Sequence, residues 1–267
     1  MCSSDLVSNP YLRFPVTPAE LERVQAAEAA SIAEIRRAFA DRPNEIAAIL
    51  VEPIQGEGGD HHFRPEFLAA LKVVAHEHEA LLIFDEVQTG VGLTGTFWAH
   101  ESLGTQPDIV SFGKKMQVCG ILGGGKLMDE PDNVFKVSSR INSTWGGNLV
   151  DMVRCQRYLE IIEEEKLVQN AADVGAYLLG QLETVQQRMP DLLSNARGRG
   201  LMCAIDFPDA DLRNAVADKA YELGMIILPC GHRSLRFRPP LDITRAEVDE
   251  ALTILLKAVD LSYKPGA

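Results

Sequence analysis

The sequence predicts an α/β protein: a parallel-rich sheet covered by helices, followed by a smaller α+β unit. Two observations carry this reading. Through the first half, short apolar runs with polar ends alternate with amphipathic helices, as expected of parallel strands joined by helical crossovers. Beyond residue 145 the order becomes long helices, then short strands and further helices, which suits a segregated α+β layer. A chain of 267 residues is long enough for two modest units, and the division is expected at 1–148 and 149–267.

Residues 1–16 are rich in turn formers (Ser8-Asn9-Pro10, Pro15) and read as a surface connection. Thr17 can cap the helix that follows, Pro18 sits where no N–H is needed, and Glu20 completes a capping box. That helix runs to about Asp41, before Pro43. Residues 46–51 form an apolar strand ending in Glu52-Pro53. A helix over 65–79 places Leu68, Leu71, Val74 and Ala75 on one face. Residues 81–84 form a second strand ending in Asp85-Glu86, and 108–112 a third ending in Gly113-Lys114-Lys115. Helices are expected over 149–165 and 168–189, a strand near 201–207, a helix over 211–223, and short strands over 225–229 and 234–238. Thr244-Arg245-Ala246-Glu247, a second capping box, opens the last helix.

Composition excludes several classes. Asp plus Glu number 38 against 26 Lys plus Arg, a net charge of −12, so the chain lacks the basic footprint of a nucleic-acid or anionic-membrane binder. No apolar run approaches the roughly 20 residues needed to span a bilayer. Five scattered cysteines without a C-x-x-C pair argue against a disulfide framework or structural zinc, and point to a reducing, cytoplasmic setting. Cys119 and Cys155 read as small core residues.

Ligands of open α/β sheets bind beyond the carboxyl ends of the strands, and this sequence puts Glu52, Asp85 and Lys114 there. Asp85 alone reads equally well as a loop cap, and Lys114 alone as a surface lysine. Together they suit a pyridoxal phosphate site, with a desolvated amine able to form a Schiff base and a carboxylate for the protonated ring nitrogen. Gly120 to Lys126 has the G-x-x-x-x-G-K spacing of a phosphate loop. Leu127 stands where a hydroxyl is needed for Mg²⁺, however, and the segment follows the acidic strand, so it reads as a glycine-rich connection. His76 and His78 are two apart on a helix and cannot share a metal from one face. No metal is expected. Glu160 and Glu163 to Glu165 read as an exposed helix face. Arg236 and Arg238 alternate in a short strand and so point to one side, either as solvated edge residues or as a fork for a substrate carboxylate.

Five ordered motifs extend this. Val51-Glu52-Pro53-Ile54-Gln55-Gly56-Glu57-Gly58-Gly59, Phe84-Asp85-Glu86-Val87-Gln88-Thr89-Gly90, and Pro107-Asp108-Ile109-Val110-Ser111-Phe112-Gly113-Lys114-Lys115 are three of them. Asn142-Ser143-Thr144-Trp145-Gly146-Gly147-Asn148 and Leu235-Arg236-Phe237-Arg238-Pro239-Pro240-Leu241 complete the set. Together they resemble class III (omega) aminotransferases from about residue 20 to 260. Gln117-Val118-Cys119-Gly120 and the stretch from Asn142 to Arg154 resemble the L-lysine 6-transaminase branch. The absence of glycines directly after the lysine favours a lysine or 4-aminobutyrate branch over the ornithine one.

The resemblance implies fold type I of the pyridoxal-phosphate-dependent transferases, with residues 1–148 as part of the large domain and 149–267 as the small one. It implies pyridoxal 5'-phosphate as cofactor, a homodimer, and transfer of the ε-amino group of L-lysine to 2-oxoglutarate. Lys114 would hold the cofactor and shuttle the proton, Asp85 would keep the ring nitrogen protonated, Val87 would pack on the ring, and Gln88 would bind near its hydroxyl. Thr144 would reach the partner subunit's cofactor phosphate, and Asn142 would contact substrate. Glu57 and Arg236 would form a switchable ion pair. The family's upstream phosphate-binding turn and ring-stacking aromatic have no counterpart between Met1 and Glu52. The chain is therefore expected to be the C-terminal portion of a longer enzyme. Another omega-aminotransferase or an inactive fragment are the alternatives.

Overall fold

The computed structural model describes residues 6–141, 144 and 146–263. The first half contains α1 (Pro18–Asp41), β1 (Ala48–Val51), β2 (Ile54–Gln55), β3 (His61–His62), α2 (Pro65–Glu77), β4 (Leu81–Asp85), α3 (Ala99–Leu103) and β5 (Ile109–Phe112). A single 3-10 turn, Lys114–Met116, leads to β6 (Gly120–Gly123) and α4 (Lys126–Asp129). There follow α5 (Leu149–Glu164), α6 (Leu167–Arg188), β7 (Ser194–Arg199), β8 (Met202–Asp206), α7 (Ala210–Glu222), β9 (Leu228–Cys230), β10 (Ser234–Phe237) and α8 (Arg245–Ser262).

The first sheet has the order β1-β4-β5-β6. β1, β4 and β5 run parallel, so Glu52, Asp85 and the turn at Lys114 emerge from one edge. The second sheet, β7-β8-β10-β9, is antiparallel throughout. A small β2-β3 hairpin lies between β1 and α2 in the chain.

Two apolar cores hold these layers. Leu68, Leu71, Val74 and Ala75 of α2 are buried, as their spacing predicts, against Ile35 and Phe39 of α1 and Leu82 and Phe84 of β4. Each such large side chain contributes roughly 1.5–3 kcal/mol. The second core gathers Leu178 and Leu182 of α6, all of β8 except Asp206 and Ala204, and Leu252 and Leu255 of α8. Ile54 of β2 and Leu93 belong to this second core, although both lie in the first half of the chain. The hairpin is thus packed onto the C-terminal layer. No helix among the described residues is long and apolar enough to cross a membrane.

Several elements differ from the sequence reading. The glycine-rich segment after residue 119 is an antiparallel edge strand, β6, and then a one-turn helix; its Gly120 and Gly123 leave space that the Phe112 and Phe135 rings fill, where a Cβ would come within 2.6 Å. β1 is an edge strand and not a strand covered on both faces, leaving Leu50 66% exposed. Glu20 does not complete a capping box. Thr17 caps its N–H, but the Glu20 carboxylate turns to Arg23 and the Arg13 N–H. Cys119 is exposed and Cys155 half-buried, so neither is a core residue. β9 starts at Leu228, three residues later than expected, and β10 is an inner strand, not an edge. His76 bonds Asp108 while His78 stacks on Phe39, in keeping with their different directions.

Candidate active site

Three strand ends and a hairpin turn build the site. β5 ends at Phe112, and the buried Gly113 leaves little room for a larger residue: a Cβ there would meet Cys119 Sγ at 3.0 Å and Val87 at 3.6 Å. Lys114 follows in the left-handed region, with φ 42°. It is exposed, not desolvated as its place at a strand end suggested, because it stands on the open turn beyond β5; among the described residues its amine has no hydrogen-bond or ion-pair partner. One strand over, Asp85 Oδ1 accepts from the Val87 N–H at 3.0 Å and from Ser111 Oγ at 3.1 Å. Ser111 lies directly opposite Asp85 on β5. Two donors thus aim the carboxylate along the sheet edge.

Glu52, at the end of β1, accepts the Gly56 N–H at 3.0 Å. Burial pushes its carboxyl above the usual carboxylate range. The Gly56 bond opposes this, while the nearby Asp85 charge adds to it. Glu86, adjacent to Asp85, turns the other way. It is 1% exposed and accepts from Thr89 Oγ1 and from the Ala99 and His100 N–H groups, fixing the start of α3.

A cavity of about 840 Å³ opens above these strand ends. Glu57, Gln88, Lys114, Lys115, Arg236 and Arg238 are among its polar residues, and Tyr158, Ile161 and Leu241 are among its apolar walls. Arg236 Nη2 pairs with Glu57 at 2.7 Å, with the arginine side chain 12% exposed and the glutamate 73%. Arg236 Nε and Nη1 are buried without a hydrogen-bond partner among the described residues. Arg238 points to the same side but is paired with the fully buried Asp60. The two arginines therefore do not form a free fork, and only Arg236 has an exchangeable partner.

Glu57, Gln88, Lys114 and Arg236 are thus brought together around one cavity. Asp85 and Val87 stand beside it at the end of β4, outside its lining. Thr144 is exposed and away from the lining, and Asn142 lies outside the described residues. Sequence reasoning missed Ser111, which holds Asp85, and Lys115, which lines the cavity and donates to the Gln88 carbonyl at 2.8 Å. Burial lowers the Lys115 amine to about 8, with the Arg238 and Lys114 charges acting in the same direction. The lysine doublet was the available signal for Lys115.

The free Lys114 amine and the aimed Asp85 carboxylate form a donor set suited to an aldehyde-bearing pyridine. The Aminotransferase class-III family pattern matches residues 4–259. The L-lysine-epsilon aminotransferase of Streptomyces clavuligerus is 51% identical over 255 residues, covering 95% of this chain and 55% of that protein. The human mitochondrial 4-aminobutyrate aminotransferase is 36% identical, covering 87% of this chain and 46% of that protein. A structure of the lysine aminotransferase from M. tuberculosis in the internal aldimine form superposes with a TM-score of 0.93 at 47% identity, over 96% of this chain and 58% of that one. The chain spans about half the length of the curated relatives it matches. With a family match running almost end to end and the strand-end lysine and aspartate in place, the chain belongs to the class-III aminotransferases.

Proposed function

We propose that this chain is part of an aminotransferase that moves the ε-amino group of L-lysine to 2-oxoglutarate, giving 2-aminoadipate 6-semialdehyde and L-glutamate. The observation that carries the substrate reading is Arg236. It is a nearly buried guanidinium on the same cavity as Lys114, with two nitrogens unpartnered and an exposed glutamate as its counter-ion. A buried arginine left unpaired costs about 3–5 kcal/mol. Glu57 supplies that charge when lysine presents its uncharged stem to Arg236, and it swings out when the carboxylate of 2-oxoglutarate takes its place.

Pyridoxal 5'-phosphate, the cofactor of this family, supplies when bound an aldehyde and an electron-withdrawing ring that carry the amino group between donor and acceptor. Lys114 would hold the aldehyde through its amine and would then move a proton at the ε-carbon of lysine. Asp85, aimed by Val87 N–H and Ser111, holds a proton on the ring nitrogen. Val87 would pack against the ring face, and Gln88 would hydrogen-bond near the ring hydroxyl. In a homodimer, Thr144 would reach the cofactor phosphate of the second copy, and Asn142 is kept as a candidate substrate residue on the family resemblance alone. The division at 148 separates the cofactor-holding part from the small domain that delivers Arg236. A reducing, cytoplasmic setting suits the free cysteines.

Visible absorbance after adding pyridoxal phosphate tests the assignment. A band is expected in the unaltered protein and lost in Lys114→Ala. A band of equal strength in both would remove Lys114 from its role. Equal turnover of lysine, ornithine and 4-aminobutyrate by the full-length protein would overturn the substrate reading.

A further inference from the structure

The turn that carries Glu57, residues 56–60, is fixed by the C-terminal half of the chain. Arg197 of β7 is 1% exposed and spends its guanidinium on that turn, donating from Nε to Asp60 O at 2.9 Å and from Nη2 to Gly59 O at 2.5 Å. Asn195 O, Asp206 Oδ1 and Ser234 Oγ accept its remaining hydrogen bonds, which ties the fork to β8 and β10. At Glu57 itself, the Gly231 N–H donates to Glu57 O at 2.9 Å. Gly231 has φ 51°, and a Cβ there would lie 2.8 Å from both Gly58 O and Gly59 Cα. The Asp60 side chain is in turn held by Arg238.

The main chain is therefore pinned at Glu57 itself and at Gly59 and Asp60 just beyond it, while the Gly56 N–H before it is held by Glu52; the glutamate side chain is 73% exposed. Glu57 can leave Arg236 only by rotating its own side chain, and it stays close enough to return. We infer that Arg197 and Gly231 are positioning residues for the Glu57–Arg236 pair, and so set the preference between ligands that bring a carboxylate to Arg236 and ligands that do not. This rests on the exchangeable pair proposed above. A shifted turn would leave the glutamate out of reach and Arg236 open to any carboxylate.

Glutarate, a five-carbon dicarboxylate, tests this by calorimetric titration of the protein without added cofactor. Glu57→Gln is expected to tighten glutarate binding roughly tenfold. Gly231→Ala and Arg197→Lys are expected to tighten it at least threefold, and to add nothing in the Glu57→Gln background. Gly231 lies on an exposed turn, so its variant reports even where Arg197→Lys fails to fold. Circular dichroism melting identifies that case. If Glu57→Gln tightens binding while Gly231→Ala does not, or if Gly231→Ala acts equally in both backgrounds, the positioning role is wrong and the exchangeable pair stands. If Glu57→Gln has no effect, the pair and the positioning role fall together.

Discussion

At the scale of single residues, the site depends on side chains whose environment departs from their ordinary chemistry. Glu52 is the clearest. Its carboxyl sits above the usual range because burial disfavours the charge and Asp85 is near. Unfolded, the same group ionises near its ordinary 4.5, so the folded state holds its proton longer and stability falls as pH rises through that range. Glu52→Gln keeps an acceptor for Gly56 and removes the charge. It should raise Tm by ~2 °C at pH 7, a modest gain for a half-solvated group, and by nothing at pH 4. A thermal melt at each pH decides it, and an equal gain at both would discard the electrostatic cause. Glu52, Asp85 and Lys114 were legible in the sequence because strand ends and polar residues coincide there. The opposite fate of Glu86 was not, since the N–H groups it accepts belong to α3, whose start carries no conventional cap.

At the scale of elements, what escaped the sequence were strands without an apolar rhythm. β7 reads Ser-Asn-Ala-Arg-Gly-Arg, with no alternation to mark it. It is held by Arg197, which satisfies its donors on three other segments, a pattern visible only once the chain is folded. The parallel strands and long helices were legible because burial imposed their periodicity. Where two elements meet without side chains, the packing is tighter still. A Cβ at Gly175 of α6 would lie 2.1 Å from the Gly200 carbonyl carbon. Gly200 itself, at φ 55°, abuts the backbone of Thr94. Gly175→Ala should therefore cost ~3 kcal/mol, seen as a lower urea midpoint with unchanged slope. An unaltered midpoint would mean that α6 can retreat from this contact.

At the scale of the whole molecule, acid should loosen the fold through one buried hairpin. Burial takes His62 down to about 3 and His61 to about 4, with the surrounding arginine charges adding to the effect. The unfolded chain binds protons at these sites near 6.5, so unfolding is favoured as pH falls from there toward 3. Unfolding free energy measured across that interval should decline, and His62→Phe should flatten the slope. A slope indifferent to His62 would assign the acid response elsewhere. The same ledger of fold against function applies at Lys114. A non-glycine residue held at φ 42° costs on the order of 1 kcal/mol or more, and a glycine would adopt that conformation without penalty. A library of variants screened only for heat resistance would thus drift toward glycine at position 114. It would enrich more durable proteins that had discarded the Lys114 amine at the floor of the site.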